Sequence, residues 1–271
     1  MTDRYAVVGN PVAHSLSPEI HAAFARQTGE DIEYSRLLAP LDGFVASVQA
    51  FRDGGGRGVN VTLPFKLEAW RLATQRSARA EQAEAVNTLR FDGATVFGDN
   101  TDGAGLVRDI EHHGGRAIAG SRVLLLGAGG AARGVLLPLI ERGPAALVIA
   151  NRTVDKAQAL ATHFGRWGGC RASGYAALAG SFDIVINATA ASVAGELPPL
   201  PPGLYAKGAL AYDMMYGAKA QPFLDSARAQ GAAVAVDGLG MLVEQAAEAF
   251  FVWRGVRPQT AAVIAMLRAR A

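Results

Sequence analysis

The chain has 271 residues, half of them hydrophobic, with 26 basic and 24 acidic side chains and a net charge of +2. That is enough apolar material for two modest domains or one large one, and without a Lys/Arg run it offers no nucleic-acid tail. No apolar stretch reaches the ~18 residues of a membrane span, the opening Met1-Thr-Asp-Arg is unlike a signal peptide, and a cytoplasmic location is expected. The single cysteine, Cys170, excludes an internal disulfide. Neither it nor the five histidines (His14, His21, His112, His113, His163) fall at metal-ligand spacing, so no metal is expected.

Tyr5 to Gly9 is a short apolar run ending at Gly-Asn-Pro, and beyond His14-Ser-Leu-Ser-Pro18 the residues Ile20 and Phe24 fall at helical spacing. Strand, loop and helix recur with a strand over Ile32 to Leu37, a helix over Leu41 to Phe51, a stop at Gly54-Gly-Gly56 and a strand over Gly58 to Thr62. Such β-α-β alternation implies a mainly parallel sheet covered by helices. Thr88 to Phe97 reads as a hairpin, and a helix follows Asp102 with Leu106, Val107 and Ile110 on one face. A second series begins at Arg122, with strands at Val123 to Leu126, Ala146 to Ala150, Asp183 to Asn187, Ala209 to Asp213 and Ala233 to Asp237. Leu197-Pro-Pro-Leu-Pro-Pro202 is a proline-stiffened loop, and helices over Met241 to Arg254 and Pro258 to Arg270 complete the chain.

Arg122-Val-Leu-Leu-Leu126 runs directly into Gly127-Ala-Gly129-Gly130-Ala-Ala132-Arg133 and an apolar helix. This order fits G-x-G-x-x-G/A, where small residues let the backbone approach a pyrophosphate seated on the helix N-terminus; glycines that only make a tight turn are the competing explanation. About 24 residues past Gly127 the next strand ends in Asn151-Arg152-Thr153, where NAD enzymes usually place a carboxylate on the ribose. A guanidinium with hydroxyl and amide neighbours suits a 2′-phosphate instead, which points to NADP. An arginine that merely flanks the next helix is the alternative.

The first half sets Ser15 and Ser17 after strand one and Asn60 and Thr62 after strand three, followed by Lys66; Asn87 and Asp99-Asn100-Thr101-Asp102 come just before the second series. Ligands collect at the carboxyl ends of parallel strands. Taken singly, each of these residues is more often a cap or turn residue than a ligand.

Together they resemble the shikimate dehydrogenase family, through Ser15-Leu-Ser-Pro18, Asn60-Val-Thr-Leu-Pro-Phe-Lys66, Ala85-Val-Asn-Thr88 and Gly98-Asp-Asn-Thr-Asp-Gly103. The resemblance continues through Gly127 to Arg133, Asn151-Arg-Thr153, Asn187-Ala-Thr189, Tyr212-Asp-Met-Met-Tyr216 and Asp237-Gly-Leu-Gly-Met-Leu-Val-Glu-Gln245. It implies an N-terminal α/β substrate domain (1–102), a Rossmann-type NADP domain (103–237) with a cleft between them, and C-terminal helices (238–271) that return to the substrate domain. The implied reaction is reversible reduction of 3-dehydroshikimate by NADPH in aromatic amino acid biosynthesis, in a monomer or homodimer.

By the same resemblance Lys66 and Asp102 are catalytic, and Ser15, Ser17, Asn60, Thr62, Asn87, Tyr216 and Gln245 bind substrate. Cofactor contacts are implied for Gly127, Ala128, Gly129, Gly130, Ala131, Asn151, Arg152, Thr153, Lys156, Thr189, Met214, Gly238 and Met241. Three departures stand out: Ala190-Ala191-Ser192 where the family often reads serine and glycine, Ala78 in place of an acid, and Lys156 in place of an arginine. A quinate or dual-specificity dehydrogenase of the same family, and a catalytically silent metabolite sensor, are the alternatives. A sensor has no need of both Lys66 and Asp102.

Overall fold

The computed structural model describes residues 2–189 and 197–270. The loop departure at 190–192 lies outside them. The chain forms two compact units, one from Met1–Asp102 with Val243–Arg270, the other from Gly103–Leu242.

The first unit runs β1 (Asp3–Gly9), α1 (Ser17–Thr28), β2 (Ile32–Leu38), α2 (Phe44–Asp53), β3 (Gly56–Val61), α3 (Lys66–Leu72), β4 (Gln75–Arg76), α4 (Ala78–Ala83), β5 (Thr88–Asp92) and β6 (Thr95–Asp99). Its sheet order is β2-β1-β3-β5-β6-β4, parallel at β1/β2, β1/β3 and β4/β6 and antiparallel where β5 and β6 make the hairpin. Ala6, Val8, Val59, Val61, Phe44, Phe65 and Leu89 build its core.

Three expectations are corrected here. The second helix begins at Phe44, not Leu41, because Gly43 N–H turns back to the Pro40 carbonyl at 3.0 Å and holds Pro40 to Gly43 as a turn. Asn60 lies inside β3, where it pairs with Thr88 of β5, not beyond the strand end. Lys66 opens α3, a helix that the sequence does not signal because its seven residues carry too little periodicity to stand out.

From Gly103 on, the second unit contains the rest of α5 (Asp102–Arg108), whose first residue belongs to the first unit and which continues into a π turn at Asp109–His113, then β7 (Arg122–Leu126), α6 (Gly130–Glu141), β8 (Ala146–Ala150), α7 (Val154–Phe164), β9 (Cys170–Ser173), β10 (Phe182–Asn187), β11 (Tyr205–Asp213), α8 (Gln221–Ala229) and β12 (Val234–Asp237). Every pairing in its sheet is parallel, in the order β12-β11-β10-β7-β8-β9. In chain order from the first strand of the unit this is 6-5-4-1-2-3, the doubly wound nucleotide-binding order. The strands are buried on both faces, as Val123, Leu124, Leu125 and Leu126 show, and such strands read as continuous apolar runs.

Two helices end the chain, α9 (Leu239–Arg254) and α10 (Ala261–Arg268). Within the first unit Trp253 stacks on Tyr5 with ring centroids 4.5 Å apart and donates its indole N–H to the Leu89 carbonyl at 3.0 Å. Gly58 makes room for this contact, since a Cβ there would lie 2.5 Å from that carbonyl oxygen and 2.6 Å from the indole nitrogen. No helix among the described residues is long and apolar enough to cross a membrane.

Candidate active site

In the first unit a set of polar side chains converges on one carboxylate. Lys66, on the first turn of α3, places Nζ 2.6 Å from Asp102 Oδ2, and the pair is mostly shielded, with side-chain exposures of 30% and 15%. Asn87 Nδ2 donates to the other oxygen, Oδ1, at 2.8 Å. Asn87 is buried just before β5, where its backbone N–H donates to the Asp99 carbonyl at 3.0 Å and its Oδ1 accepts from Thr101 N–H at 2.8 Å. Gln245 of α9 brings Oε1 within 3.3 Å of Asn87 Nδ2 and 3.4 Å of the Thr101 hydroxyl.

The backbone that carries these groups is tied down in several places. Val86 N–H donates to the Lys66 carbonyl at 2.9 Å, so the start of α3 and the approach to Asn87 are held together. Asn100 Nδ2 donates to the Ala85 carbonyl at 3.1 Å, and Asn100 Oδ1 accepts from Asp102 N–H at 3.2 Å. Asp99 is buried under Arg79 and Ser77; burial alone would raise its carboxyl, but the Arg79 hydrogen bonds and charge overrule that and hold it below the ordinary range. A carboxylate paired in this way anchors the turn in which Asp102 sits.

Ser15 and Ser17 form a second group. Ser15 Oγ donates to Ser17 Oγ at 3.1 Å, and Ser17 opens α1 with Pro18 behind it, where the helix still has backbone N–H groups to offer. Arg36 donates to the Ser15 carbonyl at 2.6 Å and fixes the loop. Thr62 follows β3, with its N–H on the Val8 carbonyl at 2.9 Å. Asn60 donates through Nδ2 to Thr88 Oγ1 at 3.1 Å and to the Asn87 carbonyl at 3.3 Å, and its Oδ1 accepts from Tyr34 at 2.8 Å. The sequence gives Tyr34 no signal and Thr88 only a place at the end of the Ala85-Val-Asn-Thr88 motif, because only strand pairing brings the two to Asn60. A cavity of about 540 Å³ in this unit, lined by Arg79, Arg90, Asp99 and Glu248 among others, includes none of the residues expected to bind substrate or to be catalytic.

In the second unit the candidate cofactor residues line the carboxyl edge of the sheet. The registers set Leu126 beside Ala150 on one side and beside Asn187 on the other, then Asn187 beside Asp213 and Asp213 beside Asp237. Gly127, Asn151, Met214 and Gly238 are the residues that leave those strand ends, and Thr189 follows Asn187 by two. Strand order reverses at β7, which is the crevice position at which open α/β sheets bind nucleotides.

Gly127 has φ +107, and a Cβ there would come within 3.0 Å of the Ala188 carbonyl, so the fold itself requires glycine. Gly129 and Gly130 differ, because a Cβ on either meets nothing within 4 Å. Their open space lies at the N-terminus of α6, beside Ala128 and Ala131, where unpaired backbone N–H groups suit a phosphate. Around the edge, Thr189 Oγ1 donates to Asn187 Oδ1 at 2.7 Å, Asn187 Nδ2 donates to Asp213 Oδ2 at 2.9 Å, and Gly217 N–H donates to Asp237 Oδ2 at 3.0 Å. Gly238 is enclosed, for a Cβ would lie 2.4 Å from the Met214 carbonyl oxygen.

Arg152, Thr153 and Lys156 are all exposed beyond β8. Thr153 is the N-cap of α7 but makes no side-chain capping bond, and Asn151 Nδ2 donates to the Thr153 carbonyl at 2.9 Å. This leaves a guanidinium, an ammonium and a hydroxyl at one strand end, a donor set that fits a ribose phosphate. Met241 is buried in the core of this unit. Tyr216 also belongs to this unit, half-buried after β11, while the other substrate-binding candidates fall in the first.

Comparison with known proteins gives three family matches: the shikimate dehydrogenase substrate binding domain over residues 7–89, shikimate/quinate 5-dehydrogenase over 110–194 and the shikimate 5′-dehydrogenase C-terminal domain over 238–268. The chain is 63% identical over 98% of its length to the shikimate dehydrogenase (NADP(+)) of Aromatoleum aromaticum, covering 97% of that protein. Among solved structures it is similar to an enzyme from Pseudomonas putida (51% identity, TM-score 0.93, 98% of each chain). It is also similar to shikimate 5-dehydrogenase from Thermus thermophilus in complex with NADP(H) and shikimate (33% identity, TM-score 0.86, 100% of each chain).

Proposed function

The chain belongs to the shikimate dehydrogenase family, and from that premise we propose that Lys66 and Asp102 are the proton-handling pair of its reaction. The enzyme catalyses the reversible NADPH-dependent reduction of 3-dehydroshikimate to shikimate. When bound, NADPH supplies the hydride.

Hydride addition to the ketone carbon leaves an alkoxide that needs a proton. The Lys66 ammonium is suited both to stabilise the developing oxyanion and to donate that proton. Asp102 holds the ammonium through the 2.6 Å contact, which is the observation that carries this assignment. With Asn87 fixed on its other oxygen, the carboxylate keeps lone pairs with which to accept a substrate hydroxyl. Ser15 and Ser17 are assigned the substrate carboxylate, because two hydroxyls at a helix start bind an anion without adding a competing charge. Asn60, Thr62, Asn87, Gln245 and Tyr216 are assigned to the ring hydroxyls.

In the second unit we assign the pyrophosphate to Gly127 to Ala131, the 2′-phosphate to Asn151, Arg152, Thr153 and Lys156, and the remaining cofactor contacts to Thr189, Met214, Gly238 and Met241. Residues 1–102 with the C-terminal helices from 243 on are then the substrate and catalytic part, and 103–242 the NADP part. We further propose a cytoplasmic enzyme that works as a monomer or homodimer, which light scattering on the purified protein would distinguish. Steady-state kinetics with shikimate and quinate, each with NADP and NAD, test the whole assignment: kcat/KM should be highest for shikimate with NADP. A higher value for quinate would transfer the polar site to a different ring.

A further inference from the structure

Tyr34 lies outside the chemistry set out above, yet its hydroxyl starts a hydrogen-bonded path that ends on Asp102. It stands in β2, opposite Tyr5 of β1, and reaches over β1 to Asn60 of β3, whose Oδ1 it meets at 2.8 Å. An amide oxygen can only accept, so the phenol donates. Burial pushes the Tyr34 phenol well above its ordinary range, against a hydrogen bond from Ser17, so the donor keeps its proton. His21, stacked on Tyr34 with centroids 4.2 Å apart, is itself lowered to about 3 by burial, which Asn60 only partly offsets, and brings no charge to the path.

With Oδ1 committed to Tyr34, Asn60 Nδ2 faces Thr88 Oγ1 and the Asn87 carbonyl at 3.1 and 3.3 Å. An inverted Asn60 amide would set its oxygen against that carbonyl, two acceptors facing each other. Thr88 Oγ1, accepting from Asn60, turns its own proton to Asn87 Oδ1 at 3.0 Å. Asn87 is thereby oriented with Nδ2 toward Asp102 Oδ1 at 2.8 Å, and Lys66 takes the other oxygen. The links from Tyr34 to Asn87 each have one direction, and Asn87 Nδ2 then meets Asp102 at 2.8 Å, with Thr101 Oγ1 at 2.9 Å and Gln245 Oε1 at 3.3 Å also in reach.

We propose that Tyr34 is a positioning residue of the reaction, its hydroxyl fixing the amides of Asn60 and Asn87 and so the carboxylate of Asp102 that holds Lys66. The proposal rests on Lys66 and Asp102 being the proton-handling pair. Thr101 N–H also donates to Asn87 Oδ1, at 2.8 Å, so Tyr34 supplies part of the orientation and its removal should have a moderate effect. Loss of one such bond corresponds to about threefold to tenfold in rate.

The test is kcat for NADP-linked shikimate oxidation in the parent, Tyr34→Phe, Asp102→Asn and the double variant. Tyr34→Phe should lower kcat by about threefold to tenfold with KM for NADP unchanged, and should add no further loss in the Asp102→Asn background. A merely structural tyrosine would multiply the two losses, and equal factors in both backgrounds overturn the proposal. Parent-like kcat in Tyr34→Phe beside an impaired Asp102→Asn overturns it as well and leaves the catalytic pair standing. Parent-like kcat in Asp102→Asn removes the pair, and the path to it falls with it.

Discussion

Replacing Lys66 by methionine keeps most of the side-chain stem and removes only the ammonium. In the folded protein that ammonium sits 2.6 Å from Asp102 Oδ2, with 30% of the lysine side chain and 15% of the aspartate side chain exposed. A pair so partly open to water contributes about 1 kcal/mol or less to stability. Asp102 would still accept from Asn87 at 2.8 Å, so the variant should fold and melt within a few degrees of the parent. The reaction, by contrast, loses its proton donor, which typically costs about 10²-fold or more in rate, roughly 2.7 kcal/mol of barrier. Reduction of 3-dehydroshikimate followed by NADPH absorbance should therefore show kcat down by about two powers of ten or more, with KM changed much less. A folded Lys66→Met protein with kcat within about threefold of the parent would refute the assignment.

Arg152→Ser should weaken NADP by about one to two powers of ten, the scale of one charge-assisted hydrogen bond, while KM for NAD moves little; equal losses with both cofactors would remove Arg152 from the 2′-phosphate. Because nothing of the protein lies within 4 Å of a Cβ at Gly129, Gly129→Ala should leave the melting temperature near the parent's yet raise KM for NADP, whereas a parent-like KM would show that the space is not used by the cofactor. His21, lowered by burial from an ordinary 6.5 to about 3, resists protonation when folded and accepts it when unfolded. Its contribution is complete above about pH 6.5 and is lost as pH falls toward 3, by roughly 4 to 5 kcal/mol across that window. His21→Phe should flatten this acid limb in urea titrations, and parallel stability curves for the two proteins would contradict it.

The second unit was legible because its signals are local. Arg122 to Arg133 spells a buried strand, a glycine turn and a helix start within twelve residues, and β7 and α6 form there. Asn151-Arg-Thr153 likewise announced a strand end with cationic and hydroxyl donors, and β8 stops at Ala150. Hydrophobic periodicity and turn chemistry act over a few residues, so they survive in a bare sequence. Where they are weak, an element leaves no local signal: β9 is Cys-Arg-Ala-Ser, with no β-branched residue, and α3 is too short to declare its period. The polar cluster is a different matter. Family motifs picked out Lys66, Asn87, Asp102 and Gln245, but their spacing along the chain says nothing of distance. Only folding sets Asn87 Nδ2 within 3.3 Å of Gln245, 158 residues away, and Lys66 within 2.6 Å of Asp102, 36 residues away. Asn60 shows the point most plainly, because which groups its amide meets depends on the register of β3 against β5 and on the place of β2 beyond β1. A one-residue slip would turn Thr88 to the opposite face, and Tyr34 would lose its reason to be there. Sequence carries the propensity of each segment and the chemistry of each side chain; the sheet pairings decide which side chains share a proton, since hydrogen bonds act over about 3 Å and the chain between them is free to take any path.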